Sequence, residues 1–440
     1  MFSFDHRHPE SRNWRNYQQK MRRRSSRRSW GTDMVKMVSV ILAVVGAGYG
    51  LVQGAKTFMP LEPALENPLL VQKKDTPAPN PKQLLSKSIT ERAFLNLTDP
   101  QFTTEINGHT CRVETSIDTE IQTALLTAME EITSKERYRS RFIGVVVMES
   151  NTGRILSMAS FDNQNPNHNT CVDNQFPAAS IFKIITAAAA IESHGLTANS
   201  PIDYTGPKHT LYRAQLQDTV KRYTNTLSLR DSFAQSVNPV FGKLGARFLG
   251  KETLELYSKR FGFNQPIDFE MAVAPSRISV GEDPFEQAEV ASGFNMDTTI
   301  SPLHGAMIAS VVLNNGEMKS PSIVERISGE GDQTIYERTD APGRPVISEK
   351  TAGELYEMML ATVHKGTARK VFRGIKNNDI LKTLDVGGKT GSMNNNPRFD
   401  WFIGFADNPK TKHALIVSAM VAHEDYIGKR AGEYAQIAME

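Results

Sequence analysis

Residues Gln175–Ile184 read QFPAASIFKI, which sets Lys183 three places after Ser180. No other serine in the chain has a lysine three positions later. Residues three apart share one face of a helix, so a hydroxyl and an amine can come within hydrogen-bond reach. Such a hydroxyl is a candidate nucleophile for acyl transfer, and the amine is its candidate base. A lysine at its ordinary pKa of about 10.4 holds its proton at neutral pH and cannot serve as that base. Burial and a second cation nearby would both lower the value. At the first turn of a helix, backbone N–H groups and the dipole would favour the anion formed on attack. Taken alone, the pair reads more simply as a capping serine beside a solvated lysine.

Two further motifs shift the balance. Ser236-Val237-Asn238 lies in DSFAQSVNPVFGKLG, and Lys389-Thr390-Gly391 lies in VGGKTGSMN. The first is weak by itself, since Ser392-Met393-Asn394 has the same form. The second is stronger, because it follows an apolar strand and Gly391 allows a ligand backbone to approach closely. The weight lies in the order and the settings: a helix start, a loop between helices, and a strand.

The elements that must position these residues give an α+β reading. Asn107-Gly108 marks a hairpin, and Asp118 caps a helix with Ile121, Leu125, Met129 and Ile132 at helical spacing. FIGVVVME, a turn at Asn151–Gly153 and RILSMAS form a strand–turn–strand unit. A helix is expected from Ser180 to His194, stopped by Gly195. Residues 229–375 read mostly helical, and the C-terminus returns to strands in TLDVGGKTGS, FDWFIGFA and HALIVSAMVAH. Helices held between early and late strands predict one α+β domain whose sheet is closed by the C-terminal strands.

The remaining organisation lies N-terminal. Residues 1–36 carry ten Lys/Arg against three acidic residues, a net of +7, so the rest of this +3 chain carries −4. A nucleic-acid-binding arm would fit the arginines, but Met37–Ala55 follows with nineteen residues free of charge. A helix of that length crosses about 30 Å of hydrocarbon, and arginines ahead of it keep the N-terminus cytoplasmic. The expectation is a cytoplasmic tail at 1–36 and a single-pass anchor at 37–55, with a cleaved signal peptide as the competing reading. Residues 56–104 form a Pro-rich linker and short N-terminal segment, followed by the main domain at 105–440. No partnership with nucleic acid is expected. Two cysteines, Cys111 and Cys171, allow either one disulfide or two buried thiols. Met358, Met359 and Trp401 are expected in the core, and the ten histidines show no metal-ligand spacing, so neither a metal nor a cofactor is inferred.

S-x-x-K and K-T-G together are a signature of penicillin-binding proteins and related β-lactamases. The chain resembles the membrane-anchored penicillin-binding transpeptidases well beyond these motifs. TSIDTEIQTALLTAM resembles the helix that opens their domain, and VVVMESNTGRILSMAS the segment before the nucleophile. Thr298–Gly316 resembles their threonine-proline-leucine helix, HKGTARKVF their glycine-threonine-alanine turn, and DWFIGFA the tryptophan strand. The resemblance covers about residues 113–440 in family order. It implies the penicillin-binding (β-lactamase-like) fold, an antiparallel sheet with a helical subdomain. It also implies a peptidoglycan D,D-transpeptidase that is inhibited by β-lactams, with its catalytic domain on the periplasmic side of the bacterial cytoplasmic membrane. By the same resemblance Ser180 attacks a stem ending in D-Ala-D-Ala and Lys183 takes its proton. Ser236 and Asn238 serve the leaving amine and the substrate amide. Lys389, Thr390, Gly391 and Ser392 bind the substrate, with the terminal carboxylate at Lys389 and Thr390. The N–H groups of Ser180 and Ser392 would form an oxyanion hole. Stem peptides, β-lactams, the membrane and other cell-wall synthesis proteins are the implied partners. Residues 56–104 leave no room for a glycosyltransferase. A D,D-carboxypeptidase uses the same residues with water as acceptor. A β-lactamase would carry valine in place of Asn238 or a Glu-x-x-Asn motif, and a β-lactam sensor would need a signalling module.

Overall fold

The computed structural model describes residues 81–217, 224–411 and 413–440. The expected basic tail, the apolar span 37–55 and the proline-rich stretch before residue 81 lie outside the described residues. Among the described residues, no helix is long and apolar enough to cross a membrane.

Regular structure starts earlier than the 105 boundary drawn from the sequence. Helix α1 (Pro81–Ser88) and the turn after it bury Leu85, Ile89 and Phe94 in the main core. Residues 81–104 therefore pack as part of the domain rather than as spacer, because their few apolar side chains find a core that sequence periodicity does not show. The hairpin of β1 (Gln101–Ile106) and β2 (His109–Thr115) turns through Asn107 and Gly108, with φ of 53° and 80°. Two successive positive φ values fit a two-residue hairpin turn, which favours Asn-Gly.

Helix α2 (Thr119–Thr133) begins where the Asp118 carboxylate accepts the N–H groups of Glu120 and Ile121, at 3.0 and 3.1 Å. Then come β3 (Ser140–Glu149) and β4 (Ile155–Asp162). Helix α3 (Lys183–His194) is buried from Lys183 to Ile191 and ends at Gly195 in the left-handed region. The turn carrying Ser180, Ala179–Phe182, is 3-10 rather than the α-helical turn expected, a tightening common at helix starts.

The helical subdomain contains α4 (Leu229–Ala234), α5 (Asn238–Lys243), α6 (Gly250–Arg260), α7 (Pro284–Ser292), α8 (Pro302–Leu313) and α9 (Glu349–His364). Strands interrupt this stretch, which reads as mostly helical in the sequence, the longest being β5 (Val324–Ser328) and β6 (Thr334–Glu337). These two join the first hairpin in a second sheet of order β1-β2-β5-β6. Strand β6 is mostly exposed, so it carries little of the apolar alternation that announces a strand.

Strands β7 (Asp385–Met393), β8 (Arg398–Asn408) and β9 (His413–His423) complete the main antiparallel sheet, of order β7-β8-β9-β3-β4. Helix α10 (Ala431–Met439) ends the chain. The sheet is covered on both faces, which explains the near-continuous apolar runs in β3 and β9. Val145, Val147, Phe402 and Val421 pack with Leu125 and Met129 of α2 and Tyr434 of α10. Alternate residues Val146, Met148, Ile403 and Met420 share the larger core with Ile184, Leu303 and Leu355. Met358, Met359 and Trp401 lie in that larger core too. Cys111 and Cys171 are buried free thiols, which removes the disulfide alternative.

Candidate active site

The three motifs converge where the start of α3 meets the edge strand β7 and the α4–α5 loop. Ser180 sits on the 3-10 turn, half-buried, behind Ala179, which adopts a positive φ of 49°. Gly293 presses on that turn. A Cβ there would lie 1.8 Å from the Ala179 carbonyl oxygen and 3.0 Å from the Ser180 nitrogen. Ser236, in the loop, is also left-handed, with φ 56°. Non-glycine residues in that region cost about 1–3 kcal/mol and collect at functional sites.

Lys183 is 0% exposed, and its Nζ lies 2.7 Å from Ser180 Oγ and 2.9 Å from Asn238 Oδ1, with the Ser292 carbonyl as third partner. Two of these three can only accept. A neutral amine has two N–H bonds and one lone pair, so Asn238 and Ser292 use both protons. The lone pair is left for the Ser180 hydroxyl to donate to. Neutrality is favoured first by burial and second by the charge of Lys389, which together hold Lys183 well below the usual lysine range.

Lys389 is also 0% exposed. It donates to Ser236 Oγ at 3.1 Å and to the Thr390 carbonyl at 2.8 Å, and burial pushes its pKa down to about 7. The Phe233 and Phe241 rings lie near the two amines, centroids 5.4 Å from Lys389 Nζ and 5.6 Å from Lys183 Nζ. Gly391 brings β7 against the nucleophile's turn: a Cβ there would meet Ile181 and Trp401 at 3.3 Å and the Ala178 carbonyl oxygen at 3.4 Å. Trp401 stands opposite Gly391 and donates from Nε1 to the Pro177 carbonyl at 2.9 Å, fixing the approach. Ser392 is exposed, and its hydroxyl donates to Asp400 Oδ1 at 3.3 Å.

The three segments that carry the eight residues singled out from the sequence thus meet. Two others were not assigned roles. Thr367, within the quoted HKGTARKVF, sets its hydroxyl 2.5 Å from that of Thr390 and donates its backbone N–H to Ala234. His209 belongs to a loop whose neighbour Lys208 accepts the Asn238 N–H at 2.7 Å. Its ring hydrogen-bonds the Ser236 backbone, while desolvation lowers its pKa. A lone histidine in a polar loop carries no signal of this in the sequence. Among the described residues, no group of three or more His, Cys, Asp or Glu could hold a metal ion.

A half-buried serine beside a buried lysine, with a second buried lysine, on a sheet-plus-helical-subdomain scaffold, defines a serine acyltransferase of the penicillin-recognising type. The penicillin-binding protein transpeptidase domain model matches residues 143–440. The chain belongs to that family. It is 28% identical over 331 residues to stage V sporulation protein D of Bacillus subtilis, covering 70% of this chain and 49% of that protein. It is 27% identical over 350 residues to peptidoglycan D,D-transpeptidase PbpA of Mycobacterium tuberculosis, covering 69% and 66%. The chain therefore spans about half of the sporulation protein and about two thirds of the mycobacterial one. Among solved structures, the imipenem acyl-enzyme of M. tuberculosis penicillin-binding protein A superimposes with a TM-score of 0.58 at 25% identity, covering 74% of this chain and 78% of that one.

Proposed function

We propose that this chain is a peptidoglycan D,D-transpeptidase working through a Ser180 acyl-enzyme. The observation that carries the reading is the saturation of Lys183: with both N–H bonds taken by Asn238 and Ser292, its lone pair is free for the Ser180 proton. Ser180 Oγ attacks the carbonyl of the penultimate D-Ala while its proton passes to Lys183. The N–H groups of Ser180 and Ser392 receive the developing oxyanion, each such donor being worth about 3–4 kcal/mol in related chemistry. The C–N bond then breaks, and the leaving D-Ala nitrogen takes a proton relayed from Lys183 through Ser236, whose hydroxyl already bonds Lys389. Lys389 and Thr390 hold the terminal carboxylate, and Thr367 orients the Thr390 hydroxyl. An amine from a second stem displaces Ser180 and forms the cross-link.

The reading places the catalytic domain on the outer side of the cytoplasmic membrane, held by the span 37–55, where peptidoglycan stems and other cell-wall synthesis proteins are met. β-Lactams would acylate Ser180, a reading supported by the imipenem acyl-enzyme complex formed by the mycobacterial relative. The test is the intact mass of the full chain in detergent after addition of benzylpenicillin. A stable single adduct on Ser180, absent in Ser180→Ala, supports the reading. An adduct that disappears while the antibiotic is consumed would make the protein a β-lactamase instead. Incubating the acyl-enzyme of a D-Ala-D-Ala peptide with and without an amine acceptor separates transpeptidase from carboxypeptidase.

A further inference from the structure

A strongly basic stretch follows α9. Residues 365–382 carry Lys365, Arg369, Lys370, Arg373, Lys376 and Lys382 against Asp379, a net of +5. Residues 37–440 carry −4 in all, so the others among them carry −9 once this stretch is set apart. Its apolar side chains fix the backbone. Ala368, Phe372 and Leu381 are buried in the smaller core with Tyr434 of α10, and the Phe372 ring lies 5.2 Å from that of Phe402. All six cations are exposed. The stretch therefore holds its charges towards water on a backbone anchored by the core.

Two of the six are paired, Lys365 with Asp231 at 2.9 Å and Lys382 with Asp379. Arg369, Lys370, Arg373 and Lys376 make no ion pair with any described residue. The carboxylates of neighbouring elements do not cancel them. Glu433 of α10 sits beside Arg430, whose backbone N–H it accepts at 2.7 Å. Glu440 accepts from Asn378 at 3.0 Å. Glu357 lies about 12 Å back along α9 from Lys365, at about 1.5 Å per residue. Four cations thus stand against the carboxylates of Glu440 and Glu357, and the patch stays positive.

The patch adjoins the substrate site. Thr367, within the stretch, sets its hydroxyl 2.5 Å from that of Thr390, which on the reading above holds a terminal carboxylate. The four cations follow in the turn after Thr367 and in the 3-10 turn Phe372–Asn377. At about 2 Å per residue they extend on the order of 20 Å from Thr367. Every uncross-linked stem ends in a carboxylate, so a peptidoglycan strand is a polyanion with charges recurring along its length. Such a strand is repelled by the acidic remainder of the domain and attracted here, and a cluster of one sign concentrates the opposite charge around it. We propose that Arg369, Lys370, Arg373 and Lys376, with Lys365, form a landing surface for the anionic peptidoglycan strand, outside the catalytic groups, that draws carboxylate-ended stems to the cleft. The surface rests on the transpeptidase reading and adds a polymer-binding site to it. An anionic lipid surface would also suit such cations, but the contact with Thr390 favours the substrate polymer.

The test is co-sedimentation of the full chain in detergent with purified insoluble peptidoglycan, either native or with its carboxylates converted to amides. Ser180 is first acylated with benzylpenicillin, so that binding in the cleft is blocked and only binding outside it is read. The wild type should bind the native polymer about tenfold or more tightly than the amidated one. Raising the ionic strength from about 0.1 M to about 1 M shortens the screening length from about 10 Å to about 3 Å and should erase most of that preference. Arg369→Gln, Lys370→Gln, Arg373→Gln and Lys376→Gln combined should bind both forms alike, while benzylpenicillin still acylates within about threefold of the wild-type rate. Equal binding of the two polymers by the wild type, or a preference kept in the combined variant, would overturn the surface. If the variant does not fold, the wild-type preference and its salt dependence decide. Retention on beads coated with phosphatidylglycerol, lost in the variant while both polymers bind alike, would make the patch a lipid contact and overturn the proposal. Normal acylation without polymer discrimination sinks the surface alone, whereas absence of a Ser180 adduct sinks the transpeptidase reading and the surface with it.

Discussion

Replacing Lys183 by alanine isolates the base. A general base contributes about 10²- to 10⁴-fold to rate, which is about 2.7 to 5.4 kcal/mol at about 1.36 kcal/mol per factor of ten. The upper part of that range is expected here. Lys183 is 0% exposed, so bulk water has no route to replace it, and no other side chain hydrogen-bonds Ser180 Oγ among the described residues. The truncation also strips a donor from Asn238 Oδ1 and the Ser292 carbonyl, and each stranded acceptor costs about 1–3 kcal/mol. Thermal unfolding of the variant must therefore be followed, so that lost stability is not counted as lost chemistry. Lys183→Arg supplies the control, because it keeps a cation near Ser180 but cannot surrender its proton. The assay is the second-order acylation constant with a fluorescent penicillin, measured on the full chain in detergent. Both variants should fall by about a thousandfold or more while still folded at the assay temperature. Lys183→Ala within tenfold of wild type, or Lys183→Arg at the wild-type rate, would refute the base assignment.

Two more outcomes follow from the same geometry. Acylation should depend on pH through both lysines. On the acid side it rises as Lys183 loses its proton, at a pH well below the usual lysine range. On the alkaline side it declines as Lys389, with a pKa of about 7 in the free enzyme, loses the charge that draws the carboxylate. A profile flat from pH 6 to 10 would show that Lys389 does not titrate there as a buried group. Gly293→Ala should slow acylation at least tenfold and lower Tm, because a Cβ would sit 1.8 Å from the Ala179 carbonyl oxygen on a backbone with φ 64°. Unchanged acylation and Tm would mean that the nucleophile's turn is not held by this contact.

Much of the site was legible because its signals are local. Ser180 and Lys183 lie three apart, Lys389-Thr390-Gly391 is contiguous and follows a strand signal, and Asn107-Gly108 encodes its own turn. Spacing alone brings each set together, whatever the rest of the chain does. The family resemblance added the order of the motifs and the roles they imply. The missed parts depend on long-range packing. Strand β5 pairs with β2, about two hundred residues earlier, and β6 pairs with β5; no local period records the long-range pairing. Residues 56–104 read as a Pro-rich linker and short N-terminal segment, and the sequence did not show that Leu85, Ile89 and Phe94 reach the core.

The amino-acid sequence by itself determined which groups can do the chemistry, since side-chain type and helical or strand spacing are properties of the chain. Only the tertiary structure decided their protonation and supporting contacts. Burial first, and the charge of Lys389 second, hold Lys183 well below the usual lysine range, and both come from segments distant in sequence. His209 and Thr367 acquire their places the same way, through contacts between elements far apart in sequence. Burial and electrostatic coupling depend on distances in space, and those exist only once the chain has folded.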